Sequence, residues 1–347
     1  MRVKKHYVFI FLLLISLIGY TQNTITGKII DAETKEPIYG ASIYFDGTTI
    51  GTISNDSGKF QLTIKKESDV PLIISSLGYK SELIQLQKQL ELGVIELEVD
   101  RESLEEVFLE TDPWSREKKL NYFKEWLLGG DYTKKECKVL NEEDIKLRFS
   151  PSSQTLTAYS EKVLLIENKY LGYKINYQLM DFELKFNKRK ITQYNNDTLI
   201  EFHPNSFYYA GSSFFQEINK DTKRKHLKRR EKIFLGSLTH FMRSLSNKKL
   251  KENNFKIFQE GREIPPYRYF NIDSISNNKN KIDFLTKKIS VLYDNKYQSY
   301  IKLIDNLTST SFYTDNLGNF YPNRYFYISG YMSTLRISSL LPLDYRL

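Results

Sequence analysis

His203, His226, His240 and the single Cys137 are the side chains best suited to metal or nucleophilic chemistry beyond the first twenty residues. A zinc peptidase needs a histidine with an acidic partner at short spacing and a distant third ligand, or two histidines four apart flanking a glutamate. His203 is followed by Pro204-Asn205-Ser206, His226 by Leu227-Lys228-Arg229 and His240 by Phe241-Met242-Arg243, so none has that partner. On one continuous helix His226 and His240 would lie nearly in phase but about 21 Å apart, too far to share an ion. Cys137 as a thiolate nucleophile would need a histidine beside it in space. It follows Lys134-Lys135-Glu136 and reads first as an unpaired, half-buried thiol. Asp46, Asn55 and Asp56 offer oxygens for calcium but lack the repeated Asx loop, and Asx side chains serve turns. There is no Gly-x-Ser-x-Gly elbow, Walker loop or Gly-x-Gly-x-x-Gly turn. No catalytic, cofactor-binding or metal-binding residue is assigned, and the sequence leans away from an enzyme.

One cysteine in 347 residues leaves no intramolecular disulfide, so 25 tyrosines and 22 phenylalanines must supply the cores. The start, Met1-Arg2-Val3-Lys4-Lys5-His6, is basic, Tyr7 to Ile18 is almost wholly apolar, and Gly19-Tyr20-Thr21 follows. That pattern predicts a secretory signal peptide over 1–21, cleaved after Thr21. An uncleaved N-terminal anchor is the alternative, although the run is short for a membrane span. The net charge of +9 is uneven. Residues 22–112 carry 8 basic and 17 acidic side chains, whereas 113–347 carry 40 basic and 25 acidic.

Residues 22–100 have the punctuation of an all-β domain. Ala41, Ile43 and Phe45 alternate before the Asp46-Gly47 turn, and Phe60, Leu62 and Ile64 alternate after Asn55-Asp56-Ser57-Gly58. Val70 to Ile74 is a continuous apolar run suited to a central strand. Six or seven short strands in this length fit a Greek-key β-sandwich. The segments Thr26-Gly27-Lys28-Ile29-Ile30-Asp31, Glu36-Pro37-Ile38-Tyr39-Gly40-Ala41-Ser42-Ile43, Gly51 to Phe60 and Ser75-Ser76-Leu77-Gly78-Tyr79 carry a resemblance. Over residues 23–99 the chain resembles the carboxypeptidase-regulatory-like domain of exported proteins from Bacteroidetes-type bacteria. The resemblance implies a transthyretin-like β-sandwich and a non-catalytic module, found at the front of outer-membrane receptors and other envelope proteins.

Residues 101–112 read as an acidic linker. Asp112-Pro113 predicts the start of a helix, with Leu120, Phe123 and Leu127 at helical spacing and Gly129-Gly130 as its stop. Its Trp114 and Trp126 suit a core, and also a membrane or sugar surface. Residues 113–347 are expected to form a β-rich α+β domain. Strands are predicted at 145–149, 156–166, 173–186, 198–202, 289–304 and 320–341. Leu227, Phe234, Leu238, Phe241 and Leu245 form one apolar stripe, predicting a helix near 224–246 that Gly236 could divide. Cys137 to Asn141, Leu164 to Tyr173, Leu179 to Phe182 and Gly236 to Leu245 resemble a region that accompanies this sandwich in uncharacterised exported proteins. That resemblance implies no activity.

The basic segment 220–232 would suggest nucleic acid in a cytosolic protein. In an exported chain nucleic acid is not expected. An envelope protein, a glycan or an anionic lipid surface is the expected partner class, beside the plain reading of a solvated helix face. The function expected is therefore binding or scaffolding in the periplasm or at the outer membrane. A hydrolase with its site in 113–347, or an accessory component of an outer-membrane receptor system, stands as the alternative.

Overall fold

The computed structural model describes residues 23–64, 70–86, 89–100, 110–192, 198–219, 222–276, 278–305 and 310–346. The expected signal peptide, residues 101–109 of the expected linker, and Lys220 and Asp221 of the basic segment lie outside the described residues. The architecture is mainly β, a sandwich followed by a β-rich region, as expected.

Seven strands make the front sandwich: β1 (Asn23–Asp31), β2 (Ser42–Phe45), β3 (Gly51–Ile53), β4 (Lys59–Ile64), β5 (Leu72–Ser75), β6 (Glu82–Ile84) and β7 (Glu91–Leu97). They form two sheets, β4-β1-β7 and β3-β2-β5-β6. Phe60, Leu62 and Ile64 all point inward along β4, as their period of two demands. All four residues of β5 are buried, because it is flanked by β2 and β6 and covered on both faces. Gly58 closes the turn before β4 at φ +72°, and a Cβ there would lie 2.3 Å from the Ile29 carbonyl oxygen, so no other residue fits.

The region from 110 onward contains two separate hydrophobic clusters. The first belongs to a unit of α1 (Arg116–Leu128), β8 (Cys137–Val139), β9 (Lys146–Ser150), β10 (Thr155–Tyr159), β11 (Leu164–Asn168), β12 (Tyr173–Thr192), β13 (Thr198–Glu217) and α2 (Arg224–Phe234). The sheet runs β8-β11-β12-β10-β9, and β13 pairs along the length of β12. Both tryptophans serve this unit. Trp114 stacks on Phe149 with ring centroids 3.7 Å apart, and Trp126 packs edge-on to Phe207. The helix starts three residues later than Asp112-Pro113 predicts. Ser115 caps it by accepting from Lys118 N, while the Asp112 carboxylate accepts from Trp114 N, Phe149 N and Lys119 Nζ. The 156–166 run divides at Ser160, whose hydroxyl donates to the Lys162 carbonyl and turns the chain between β10 and β11.

The second cluster sits between the sheets β15-β14-β18-β19-β22 and β16-β17-β20-β21 of a third unit. Its elements are α3 (Leu238–Ser246), β14 (Phe255–Gln259), β15 (Arg262–Ile264), β16 (Phe270–Ser276), β17 (Lys279–Phe284), β18 (Lys288–Tyr293), β19 (Tyr297–Leu303), β20 (Ser311–Asp315), β21 (Phe320–Tyr321), β22 (Phe326–Gly330) and α4 (Tyr331–Thr334). The expected strand over 320–341 ends at Gly330, where φ +79° redirects the chain into α4.

The stripe predicted across 224–246 is two helices serving two cores. Gly236 separates them at φ +80°, where a Cβ would meet the Tyr293 ring at 2.6 Å. Helix α2 buries His226, Arg230, Ile233 and Phe234, and leaves Leu227 47% exposed. Helix α3 buries Phe241, Met242 and Leu245.

The last residues hold the three units together. Ile337 is buried in the second unit's core, and Asn168 Nδ2 donates to the Ser338 carbonyl. Leu343 N donates to the Gly47 carbonyl, and Asp344 accepts from Thr49 N and Thr49 Oγ1 on the sandwich. Arg243 of α3 donates to the carbonyls of Leu343 and Tyr345.

Candidate functional site

Where the sandwich meets the second unit, the outer faces of two sheets come together. Tyr44 of β2 lies against Phe214 of β13, and its hydroxyl is 2.9 Å from Ser212 Oγ. Gly47 N donates to the Ser213 carbonyl, and Phe215 N to the Thr48 carbonyl. The Asp46 carboxylate accepts from Ser213 N at 2.8 Å. Burial in this seam pushes the Asp46 carboxyl up to about 6, with that hydrogen bond pulling the other way.

Beside this hinge of contacts the sheets diverge and leave a cleft of about 730 Å³. One wall carries Ser42, Ser75, Ser76 and Leu77 of the sandwich, and the other carries Tyr159, Leu165, Asn176, Gln178 and Met180. The second wall follows from strand period. Tyr173, Ile175, Tyr177 and Leu179 of β12 point into the core, so Asn176 and Gln178 point out into the cleft. Met180 projects at a β-bulge, between the Leu179–Gly211 and Asp181–Ala210 pairs, and is 55% exposed. Leu77, at the tip of the β5–β6 turn, is 71% exposed. Tyr79 is fixed at the rim by donating to Asp31 Oδ2, and Asp31 also accepts from Glu33 N and Thr34 N. Those bonds hold the Asp31 carboxyl below its usual range. The charged groups of the lining are Lys80, Asp100, Asp144, Glu161 and Lys162; Lys162 pairs with Asp144 at 2.7 Å, Glu161 with Lys146 at 2.6 Å and Lys80 with Glu98 at 3.9 Å. The cleft therefore offers hydroxyls, amides and apolar side chains, with Lys80, Asp144, Glu161 and Lys162 each held in an ion pair. It suits a neutral, extended ligand with hydrogen-bonding groups.

The side chains singled out in the sequence are placed elsewhere and apart. His203 is on β13, exposed and 3.1 Å from Glu201. His226 is buried against Gly172, where a Cβ would lie 2.3 Å from its Nδ1. Burial and the charges of Arg230, Lys225, Arg229 and Lys223 hold its pKa below 6.5. His240 accepts from Gly236 N among the rings of Phe234, Phe255 and Tyr293, and burial pushes it down to about 4. Asn55 accepts from Ser57 N and Lys59 N, a turn role. Among the described residues no three His, Cys, Asp or Glu side chains are grouped to hold a metal ion.

Cys137 is buried on β8, and burial pushes its thiol up to about 12. Because the thiolate is the reactive form, iodoacetamide is expected to label the native chain at least ~100-fold more slowly than the unfolded chain at pH 8. Equal rates would show an accessible, activated thiol.

Residues 25–109 match the CarboxypepD_reg-like domain family. The front sandwich is that domain. Over 93 residues the chain is 34% identical to the TonB-dependent receptor SusC of Bacteroides thetaiotaomicron, a match covering 27% of this chain. The matched stretch spans only 9% of that receptor's length. A crystal structure of a protein of unknown function from Bacteroides fragilis aligns over 88% of this chain and 98% of its own, at 10% identity. Its TM-score is 0.19, too low to bear on the fold. Among the described residues no helix is long and apolar enough to cross a membrane, which leaves strand crossings unaddressed.

Proposed function

We propose that this is an exported cell-envelope protein that works by binding, with its ligand held in the cleft between the CarboxypepD_reg-like sandwich and the second unit. The observation that carries the binding role is the cleft itself. Exposed Leu77 and Met180, the Asn176 and Gln178 amides and the serine hydroxyls share one concave surface, where Lys162 is paired with Asp144. The front domain and the likeness to SusC support the envelope setting. The same likeness favours, as a second reading, an accessory part in a receptor system.

The test is a thermal-shift and calorimetric screen of neutral oligosaccharides and uncharged peptides against the wild type and Met180→Arg. Met180 is largely exposed, so the substitution is expected to leave folding intact while placing a charged side chain across the cleft. A ligand that stabilises the wild type is expected to bind the variant at least about tenfold more weakly. Ligands that bind both proteins equally would place the binding surface outside the cleft.

A further inference from the structure

We propose that the outer face of α2 docks the protein on an anionic lipid surface. The proposal rests on the envelope setting above and is independent of the cleft.

Helix α2 is held from behind. Arg230 Nη1 and Nη2 each lie 2.7 Å from the Glu217 carboxylate, Arg230 Nε donates to the Leu171 carbonyl, and Ile233 and Phe234 are buried. At about 100° per residue, Arg224, Lys225, Lys228 and Lys232 share the opposite arc of the helix. All four are exposed, as is Lys223 at the N-cap, and Glu231 is the acid in their midst. None of these five cations makes an ion pair among the described residues. Other exposed lysines do pair, among them Lys35 with Glu96 and Lys146 with Glu161. Lys249 and Lys251 are also exposed and make no ion pair among the described residues, so what sets α2 apart is that four such cations share one arc of a helix.

Two further observations point to a lipid surface. Leu227 lies 47% exposed at the edge of the basic arc. Cations flanking an exposed apolar side chain match a bilayer interface, with headgroup charge above and hydrocarbon below. The charge of the whole chain is also polarised. Residues 22–112 carry 8 basic and 17 acidic side chains, and 113–347 carry 40 basic and 25 acidic. An anionic surface repels the front and attracts the back, which orients the molecule with α2 toward the lipid.

The test is co-sedimentation of the full chain with vesicles of mixed phosphatidylglycerol and phosphatidylcholine, and with phosphatidylcholine alone. The Arg224→Gln, Lys228→Gln, Lys232→Gln triple variant is compared with a control of equal net charge, Lys249→Gln, Lys251→Gln, Lys288→Gln, on the third unit. The N-terminal apolar segment is common to all three proteins, so differences between them report the helix face. Each basic group near an anionic surface contributes about fivefold in partitioning, so the α2 variant is expected to lose about a hundredfold. The control is expected to keep most of the binding, and raised salt to reverse it. Equal loss in both variants would reduce the effect to net charge and overturn the proposal. Equal binding to uncharged vesicles, or binding to an acidic polypeptide with none to phosphatidylglycerol, would overturn it too. Cell fractionation tests the envelope setting separately, so failure of that reading is distinguishable from failure of the α2 face.

Discussion

Arg243→Met is expected to lower the stability of the chain by about 4 kcal/mol and to loosen the joint between all three units. Arg243 Nε donates to the Leu317 carbonyl at 2.7 Å, Nη1 to Tyr345 and Nη2 to Leu343, each at 2.8 Å. Its guanidinium lies 4.9 Å from the Phe234 ring centre, and burial lowers its pKa below the usual guanidinium range. One side chain thus satisfies three backbone acceptors in a partly dry environment. Charged hydrogen bonds of this kind contribute about 1.5–3 kcal/mol each, and water re-entering a partly open site recovers some of that. The consequence spreads because Leu343 N also donates to the Gly47 carbonyl, and Asp344 ties to Thr49. The measurement is urea unfolding followed by circular dichroism, with hydrogen exchange at 336–346 as the local readout. Arg243→Lys is expected to rescue little, since an ammonium cannot span three carbonyls set by a planar fork. A loss below about 1 kcal/mol, with unchanged exchange in the tail, would refute the joint.

The front sandwich was legible because its information is local. The alternation in Phe60, Leu62 and Ile64, the apolar run ending at Ile74 and the turn glycines each act within a few residues. The long helical stripe shows where local reading stops. Five apolar residues in phase look like one helix, yet a single glycine pressed against Tyr293 divides them between two helices, and Leu227 is left exposed. The buried face of α2 carries Arg230, whose burial is matched by the carboxylate of Glu217, more than ten residues earlier. The cleft was hidden for the same reason. Its walls, Ser75 to Leu77 and Asn176 to Met180, are about a hundred residues apart in sequence. Two signals were present: an apolar leucine in a turn, and amides on the polar side of a half-buried strand. Neither says which surface will face the other. Asp112 is the converse case, a residue with a helix-cap signature drawn instead to Lys119 and to the strand at Phe149.

Arg230→Met is expected to destabilise the second unit by about 3 kcal/mol, and the loss is expected to be visible in tryptophan fluorescence. Both tryptophans of the chain, Trp114 and Trp126, pack on that unit's core, so emission follows its unfolding and not that of the other two. Arg230 is 3% exposed, bidentate to Glu217, bonded to the Leu171 carbonyl and stacked 3.8 Å over Tyr173. Removing it strands a carboxylate and a carbonyl at the corner where Gly172 admits His226. The Glu217 side chain is 35% exposed and can rehydrate, which keeps the loss toward the lower end for a broken buried pair. Glu217→Gln alone is expected to cost less, and the double variant little more than Arg230→Met, because both changes break one interaction. Strict additivity would mean that the two residues act separately. The pair also carries the basic face. If Arg230 and Glu217 hold α2 against β13, Arg230→Met is expected to weaken partitioning to phosphatidylglycerol vesicles while leaving every exposed cation of α2 in place. A variant with the lower unfolding midpoint and undiminished partitioning would show that the charges of α2 act without the rigid support behind them.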